Sequence, residues 1–410
     1  MITHSTKLDS DLGPCPGNGL VVRADNITLD LGGHAVSAAN GPEETVGIRL
    51  GNVNGVTVRN GTVKGFDAGV DVEGGSRNRI EKITARDNVN DMMEPFPFTP
   101  GTPPPAEQLP MMLCDYGDGI TTTDSDSNVI QHNKVVHNGP YAGISLVDDS
   151  DQNLVSHNVV LNNNVPNQTT SFAGQAVSGL CGATLPGAPG MQRGRPIQDI
   201  GVRIEGSGAD ENRIVRNRVD NSALAGISIH SWVCHPEPGE PRMDQQPNLR
   251  NLIQGNRVMR TGAETHEIDS FADGIAVLAS GPIGEVTCTS YDNTIRSNRV
   301  FDNLRHGISL GTTTYDNMVA GNVALRNAVE GLLVEEQAHD NSLSKNRAHG
   351  NGEYDGRDDN EACDANAWRD NVFRTVNQPC VAAGRLGSHG GRGNSEAAPR
   401  GTNGAMKHPR

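Results

Sequence analysis

The ionisable residues best spaced for chemistry lie in short segments that begin with glycine and then alternate apolar and polar residues. Residues two and four places after the glycine share one face of a strand, because side chains alternate along it. This grouping puts Arg203 and Glu205 in one segment and His230 in the next. With Asp149 one repeat earlier, it would hold a base, an acid and a cation within about 5–10 Å, enough for proton abstraction from a uronate or hydrolysis of a glycoside. The alternative interpretation is a solvated strand face that carries an ion pair.

A second set of ionisable residues comes directly before the same kind of glycine. Asp273, His306 and Glu330 occupy this position in three successive repeats. These three residues are the second choice for a catalytic set. The alternative is a column of corner residues that only hydrogen-bond to one another.

Aspartates cluster in two consecutive turns and suggest a cation site. Asp124 and Asp126 lie in one turn, and Asp148, Asp149 and Asp151 lie in the next. Stacked carboxylates repel each other unless water or a cation separates them, and calcium prefers oxygen ligands. The sequence therefore predicts calcium as the candidate cofactor, with solvation alone as the alternative. The predicted ligands are Asp124, Asp126, Asp148 and Asp151.

Paired asparagines show which elements must position these residues. Seven pairs have a spacing of five residues, and short apolar segments follow the asparagines. Where no insertion intervenes, the repeat measures 24 or 25 residues, as from Gly119 to Gly143 and from Gly307 to Gly331. Each repeat therefore predicts three short strands and three turns. The pairs are Asn128 and Asn133, Asn153 and Asn158, Asn212 and Asn217, Asn251 and Asn256, Asn293 and Asn298, Asn317 and Asn322, and Asn341 and Asn346.

Three strands in so short a repeat cannot all pair as hairpins, because the inward apolar residues would then face different sides. The chain must wind, with each strand pairing in parallel with its copy one coil later, about 4.8 Å away. We predict an all-β, single-stranded right-handed parallel β-helix of about ten coils. Ile144, Ile227, Ile308 and Leu332 should stack in one inward column. The asparagines are expected at corners, where they tolerate a left-handed backbone and hydrogen-bond to their copies in adjacent coils.

The ends and the insertions complete the predicted organisation. Residues 1–25 should form an N-terminal cap, 26–351 the β-helix, 352–381 a C-terminal cap and 382–410 a disordered tail. Caps are needed because unpaired strand edges invite aggregation. Insertions interrupt the repeat on both sides of the glycine-led strands, so they should wall a groove on that sheet. The insertions are residues 89–117, 162–198, 231–250, 260–272 and 279–291.

Composition restricts the class of protein and its partners. Only 35% of the 410 residues are hydrophobic and 3% are aromatic, so the core must consist of small aliphatic side chains. The formal net charge of −15 makes nucleic acid and anionic membranes poor partners. No apolar run of about 18 residues is present to span a bilayer. We expect a monomer that does not cross a membrane.

Seven cysteines occur without any C-x-x-C motif, which argues against a zinc ribbon. Cys363 and Cys380 are expected to staple the C-terminal cap, where Trp368 and Phe373 can cover the last coil. Closing a loop of this length stabilises the fold by about 3 kcal/mol. Four cysteines lie in or beside the insertions, where loop-bracing disulfides are the favoured role and their pairing stays open. They are Cys114, Cys181, Cys234 and Cys288.

The chain resembles the right-handed parallel β-helix proteins of the pectin-lyase-like superfamily, especially secreted bacterial members with generic β-helix repeats. The resemblance rests on Ala-Asp-Asn-Ile-Thr-Leu-Asp-Leu-Gly-Gly-His at 24–34, on the asparagine pairs, and on the ending from Asn360 to Cys380. It spans residues 12–381 and implies an extracellular or cell-surface location. Because similar proteins carry a secretion signal and a further cysteine before the matching segment, it also implies that Cys15 lacks a partner. A cytoplasmic protein with reduced thiols is the alternative.

The resemblance implies several functions. The superfamily includes lyases, hydrolases, epimerases and proteins with no known activity. The strand from His306 to Gly311 looks like the histidine-bearing strand of polygalacturonases, but the aspartate pair of those enzymes is missing after Asp273. A copper-maturation family shares the fold, yet no methionine cluster accompanies the candidate ligands His132, His137 and His157.

We therefore expect an extracellular protein that binds an acidic or plant-derived polysaccharide, or a cell-surface glycan, through the glycine-led sheet. Cleavage or epimerisation is the candidate chemistry, so the enzyme would be a lyase, an epimerase or a glycoside hydrolase. The alternative is a noncatalytic surface, adhesion or carbohydrate-binding module. The scarcity of aromatic residues favours that alternative, because sugar rings commonly stack on Trp or Tyr.

Overall fold

A computed structural model shows the chain as a parallel β-helix. Most of each predicted insertion lies outside the residues that the structure describes, as do Cys114, Cys181, Cys234 and Cys288 and the predicted tail from 383 onward. The described residues are 1–39, 45–89, 117–139, 141–164, 169–172, 175–178, 200–206, 208–231, 247–262, 272–279 and 289–382.

The glycine-led strands form one sheet of eleven parallel strands, called the first sheet here. Each strand pairs with the strands one coil before and one coil after it, as the winding of a β-helix requires. The strands are Leu20–Val22, Val46–Gly51, Ala68–Glu73, Asp118–Thr123, Ala142–Val147, Ile200–Glu205, Ala225–Ser231, Asp273–Ala279, Ile308–Leu310, Leu332–Val334 and Gly356–Asp358.

The other two sides of the coil form a single sheet of 21 strands, because two long strands continue from one side to the other. Thr57–Lys64 and Arg79–Arg86 bend at Asn60 and Lys82, which have left-handed φ values of 58° and 54°. The second face contains Thr6–Lys7, Thr28–Asp30, Val129–Gln131, Leu154–Ser156, Arg213–Val215, Leu252–Gln254, Thr294–Arg296, Met318–Ala320, Ser342–Ser344 and Ala367–Arg369. The third face contains Leu12–Cys15, Ala35–Ala38, Lys134–Val136, Val159–Leu161, Arg218–Asp220, Arg257–Met259, Arg299–Phe301, Val323–Leu325 and Arg347–His349.

Few other elements are present in the described ranges. Thr169–Phe172 and Gln175–Ser178 form an antiparallel pair, and Ser290–Tyr291 pairs in parallel with Thr314–Tyr315. A 3-10 turn covers Glu361–Cys363, and one helical turn covers Pro379–Ala382. No helix within these ranges has the length and apolar character needed to cross a membrane.

The core is a set of apolar columns that run through successive coils. The predicted inward column is confirmed: Ile144, Ile227, Ile308 and Leu332 are in register through Val202 and Ile275, and all are buried. The glycine before each inward residue has a steric reason. A Cβ on Gly226 would lie 2.2 Å from the Val258 side chain and 2.6 Å from the Gly274 carbonyl oxygen.

Asparagine side chains connect adjacent coils by hydrogen bonds. Oδ1 of Asn256 accepts from the backbone N–H and the Nδ2 of Asn217, at 2.8 and 3.1 Å. Nδ2 of Asn256 donates to the carbonyl oxygen of Ile214 and to Oδ1 of Asn298. The expected left-handed backbone is not at these asparagines but at the residue before each of them, as at Arg216 and Gly255. The asparagine itself points inward to satisfy buried backbone groups, so a corner needs both residues.

A third asparagine column follows the second by five further residues, and the sequence analysis missed it. Asn138 donates to Asn163 at 3.2 Å, and Asn303 donates to Asn327 at 2.8 Å. Ser222 and Thr261 interrupt this column in the two intervening coils. Within the described residues, Nδ2 of Asn163 and the hydroxyls of Ser222 and Thr261 have no hydrogen-bond partner.

Aspartates form a further column at another corner. Oδ1 of Asp126 accepts from the Asp151 N–H at 3.1 Å, and Oδ1 of Asp151 accepts from the Asp210 N–H at 2.8 Å. Oδ1 of Asp210 accepts from the Leu249 N–H at 2.8 Å. Burial raises the pKa of Asp210 to about 6, and the charges of Asp151 and Glu211 add to this effect despite the opposing Leu249 N–H and Arg250 charge.

The coils continue into residues 352–381, which were predicted to be only a cap, because Gly356–Asp358 and Ala367–Arg369 pair with strands of the preceding coil. Cys363 and Cys380 form a disulfide with a Cα–Cα distance of 6.1 Å, inside the range of about 4.4–6.8 Å that such bonds require. Trp368 and Phe373 pack edge to face with their ring centroids 5.9 Å apart. Cys15 is buried and, within the described part of the chain, forms no disulfide. At the other end, Thr6–Lys7 and Leu12–Cys15 already pair in parallel with strands of the following coil.

Substitution of Ser222 by asparagine should repair the third column. The new amide would offer Asn163 the acceptor that it lacks, and the glycine opposite leaves the same space as in the other coils. We expect the free energy of unfolding to rise by about 1 kcal/mol, measured by chemical denaturation. Ser222→Ala removes the hydroxyl without supplying an amide and is the matched control. A Ser222→Asn variant no more stable than this control would contradict the prediction.

Asp210→Asn should raise the melting temperature at pH 7 by about 2 °C, because the amide keeps the acceptor for Leu249 and removes a repelled charge. The folded-state pKa of about 6 lies above the ordinary value for aspartate. The folded protein therefore holds a proton that the unfolded chain has lost, so its stability falls as the pH rises from about 4 to about 6. The gain from Asp210→Asn should vanish below about pH 4. A gain of equal size at both pH values would show that repulsion is not its cause.

Candidate functional site

The first predicted cluster is brought together on the first sheet, but it is buried. Glu205 is in register with His230 one coil later. The Arg203 guanidinium forms an ion pair with Glu205, and Nδ1 of His230 lies 3.6 Å from Oε1 of Glu205. Only 3% of the Arg203 side chain and 2% of the Glu205 side chain are exposed, against 29% for His230. A substrate would therefore meet His230 alone among the three.

Tyr141 completes this cluster, and the sequence analysis did not assign it a role. Its hydroxyl donates to Oε2 of Glu205 at 3.0 Å, and its ring centroid lies 4.1 Å from the guanidinium carbon of Arg203. Burial alone would raise the pKa of Glu205, but the Arg203 charge and the His230 contact outweigh it and lower the pKa to about 2. Glu205 therefore stays ionised, and its charge is balanced by Arg203 within the protein.

Asp149 differs from the residues of this cluster in its exposure to solvent. Its side chain is exposed, whereas Arg203 and Glu205 are covered. Partial burial raises its pKa, and the charges of Asp124 and Asp126 raise it further. Asp149 therefore belongs with the acidic turns.

The four aspartates predicted to bind calcium do not converge. Among the residues that the structure describes, no three His, Cys, Asp or Glu side chains are placed to hold a metal ion. Oxygens of Asp126 and Asp151 are instead used by backbone N–H groups of the next coil. The same finding applies to the candidate copper ligands: the exposed rings of His132 and His157 stack with their centroids 5.1 Å apart, and His137 contacts Asp87.

The second predicted column forms a compact buried group. Asp273, His306 and Glu330 lie in consecutive coils just before the glycine-led strands, and each is at most 4% exposed. Nδ1 of His306 lies 2.6 Å from Oε2 of Glu330. The backbone N–H of His306 donates to Oδ1 of Asp273 at 3.1 Å, and the Ser309 hydroxyl donates to Oδ2 of Asp273 at 2.7 Å.

Within the described residues, Nε2 of His306 is buried and has no hydrogen-bond partner. The 2.6 Å contact at Nδ1 is an ion-pair distance rather than a well-aligned hydrogen bond. Burial alone would raise the pKa of Glu330, but the contacts with His306 and Arg357 outweigh it and lower the pKa. Glu330 is therefore an anion beside one ring nitrogen, and the other ring nitrogen is unused.

His306 and Glu330 line a groove of about 580 Å³, called the His306 groove here. Five carboxylates and two guanidinium groups line it, so its walls carry an excess of negative charge. No aromatic residue is among these lining residues. They are Ala272, Leu304, Arg305, His306, Thr312, Val329, Glu330, Leu333, Glu335, Glu336, Glu353, Arg357 and Asp359.

Both arginines of the groove are engaged by carboxylates, and the sequence analysis identified neither. Arg357 lies 3.0 Å from Glu330 and 2.7 Å from Asp359. Arg305 lies 3.8 Å from Asp273 and 3.8 Å from Glu335. Two features of the sequence could have identified these arginines. Arg305 directly precedes His306, and Arg357 occupies in its coil the outward position that Ser309 holds two coils earlier.

Comparisons with known proteins agree with this architecture. The family model described as right handed beta helix region matches residues 17–238, more than half of the chain. A second model, described as periplasmic copper-binding protein (NosD), matches residues 283–378. A search of curated proteins found no match.

Solved structures with the same fold share little sequence with the chain. The mannuronan C-5 epimerase A-module of Azotobacter vinelandii is 14% identical with a TM-score of 0.55, covering 91% of this chain and 85% of its own. The Dettilon tailspike protein is 14% identical with a TM-score of 0.53, covering 92% and 61%. The surface adhesin PfbA of Streptococcus pneumoniae is 11% identical with a TM-score of 0.50, covering 87% and 76%.

At these identities the structural likenesses establish the fold alone. The family model covers the first half of the chain, and the in-register coils continue without a break in type to residue 358. On the strength of that match, the chain belongs to the right-handed parallel β-helix family.

Proposed function

We propose that the protein binds a polysaccharide in the His306 groove and hydrolyses it by acid–base catalysis. The observation that carries this proposal is the unpartnered Nε2 of the buried His306, with the Glu330 anion at Nδ1. A carboxylate beside one ring nitrogen orients the imidazole and stabilises its protonated form, which leaves the other nitrogen to move the proton. In this role, His306 donates a proton from Nε2 to the glycosidic oxygen as the C–O bond breaks, and Glu330 positions the imidazole. A water molecule adds to the anomeric carbon, and a carboxylate of the groove wall such as Glu335 accepts the proton that the water loses. Nε2 is buried in this structure, so glycan binding must expose it to the groove.

The charge of the groove selects among the three candidate reactions. Elimination and epimerisation both begin at a uronate, whose carboxylate must be neutralised before the adjacent proton can leave. Arg305 and Arg357 are already paired with carboxylates of the protein, and the groove is negative overall. A uronate would therefore be repelled. Hydrolysis of a neutral, plant-type glycan fits this groove better, because sugar hydroxyls can donate hydrogen bonds to its carboxylates.

A noncatalytic surface module is the second candidate, and one observation favours it. Among the residues that the structure describes, no aromatic side chain lines the His306 groove, so they offer a sugar ring no flat apolar platform. The fold is also that of a surface adhesin, at a TM-score of 0.50.

We further propose an extracellular location. The disulfide between Cys363 and Cys380 supports it, because such bonds persist in oxidising compartments. The match of residues 283–378 to a family described as periplasmic supports it as well.

His306→Gln should lower turnover by about 10²–10⁴-fold, the usual contribution of a positioned proton-transfer group. Purified protein would be incubated with arabinan, galactan and xylan, and with polygalacturonate and alginate, and released reducing ends would be counted. His339→Gln, an exposed histidine stacked on Tyr315, is the matched control and should keep full activity. Unsaturated products from a polyuronate would overturn the hydrolysis proposal. Absence of turnover on every glycan would favour the noncatalytic module.

Arg203→Ala should be folded poorly rather than merely inactive. Removing the guanidinium leaves Glu205 buried without its principal counter-charge, which costs about 3–5 kcal/mol. Chemical denaturation should show this loss, whereas His230→Ala, at a partly exposed position, should cost much less. Arg203→Ala with unchanged stability and no activity would instead make the first cluster the catalytic one.

A further inference from the structure

The third face carries a column of cations that the His306 groove does not use. Arg218, Arg257 and Arg299 occupy the same position in three consecutive coils and are in register with one another. All three side chains are exposed. Lys134 and Arg347 occupy the same position farther along the helix, with one valine between each of them and the three arginines. We call these five residues the arginine column.

Most of this positive charge has no counter-charge among the residues that the structure describes. Arg218 contacts Asp220, but that buried carboxylate is also held by two hydrogen bonds from Arg260. Within the described part of the chain, Arg257 and Arg299 form no ion pair; Arg257 rests over the Phe301 ring at 4.9 Å. Like charges directly opposite one another in parallel strands are destabilising. A protein with a net charge of −15 could have separated them with acidic residues, yet it concentrates them.

The column is straight, open and periodic. Successive cations along it are set by the coil rise of about 4.8 Å, so the seven coils from Lys134 to Arg347 span roughly 29 Å. Two more exposed arginines lie just before this face, Arg216 in the turn and Arg296 at the end of a second-face strand. An apolar row lies beside the column, where the half-buried Phe301 and Leu325 follow the buried Met259 in register.

We propose that the arginine column binds a linear anionic polysaccharide lying along the helix axis. Such a polymer carries one carboxylate per sugar ring, so carboxylates spaced along its length can meet guanidinium groups spaced along the column. Arginine suits this role because its planar fork binds a carboxylate through two parallel hydrogen bonds. A nucleic acid strand carries a phosphate about every 3.4 Å, out of step with the coils. The apolar row with Phe301 would contact the sugar rings.

This surface is distinct from the groove, and the proposal stands independently of the chemistry at His306. The groove lies at the first sheet, is negative and suits neutral sugar units. The column lies on the third face, is positive and suits an acidic chain. Together they would let the protein hold one polymer on one face while acting on, or binding, another at the groove.

The test is binding of the full chain to polygalacturonate and alginate, measured by affinity electrophoresis and biolayer interferometry at low and moderate salt. The variant Arg257→Glu with Arg299→Glu should bind at least about tenfold more weakly, and binding by the unaltered protein should fall steeply with salt. Arg213→Glu changes an exposed arginine on the second face of the same coil as Arg218, so it is the matched control and should bind normally.

Three results would overturn the proposal: equal binding by the double variant, no binding of either polyuronate at low salt, or tighter binding of double-stranded DNA than of the polyuronates. If the charge reversal disturbs folding, as shown by circular dichroism, Arg257→Gln with Arg299→Gln tests the same contacts without introducing repulsion. His306→Gln should bind the polyuronates normally, and the double variant should keep any activity on short neutral oligosaccharides. These two variants therefore distinguish a failure of the proposed hydrolysis at the His306 groove from a failure of the proposed binding at the arginine column.

Discussion

The structure depends on one constraint: whatever a coil buries must be satisfied by the coil before it and the coil after it. Backbone groups of the three faces meet this requirement through parallel pairing, but corner groups cannot. At the corners the asparagine side chain forms the missing hydrogen bonds, because one amide both accepts from the N–H of the preceding coil and donates to a carbonyl oxygen. An isolated coil would leave these groups unpaired, so each coil is stable only as part of the stack.

The same constraint shapes the candidate sites. Because identical positions stack about 4.8 Å apart, an ionisable residue in one coil is a direct neighbour of whatever occupies that position in the next. Asp273, His306 and Glu330 place a histidine between two carboxylates in one such column, and the arginines of the groove add charges of the opposite sign. Negative and positive side chains must therefore alternate within a buried column for the protein to fold. The same arrangement is the candidate for catalysis.

Periodicity was enough to predict the fold and much of the geometry. It placed Ile144, Ile227, Ile308 and Leu332 in one column. It also grouped Arg203 and Glu205 with His230, although not with Asp149, and it placed Asp273, His306 and Glu330 in consecutive coils. It could not predict that Arg203 and Glu205 are buried, because burial depends on what covers the strand face rather than on the repeat. It also misplaced the left-handed residue, since the tolerance of asparagine for that conformation is weaker than its use here as an inward hydrogen-bonding group. Tyr141 and Arg305 precede the glycine-led strands, and Arg357 lies at an outward position whose residue type changes from coil to coil, so spacing alone did not identify them.

The distribution of charge follows from how a β-helix separates its faces. The apolar core separates the outward side chains of one face from those of the others, so each face can have its own electrostatic character. The first sheet buries its charges in mutual pairs and leaves an acidic groove, whereas the third face exposes arginines at the pitch of the backbone. A net charge of −15 therefore describes neither surface. Each face therefore has its own partner preference. Charges on one face lie about 4.8 Å from their neighbours in adjacent coils, whereas salt screens their attraction for a ligand beyond about 10 Å.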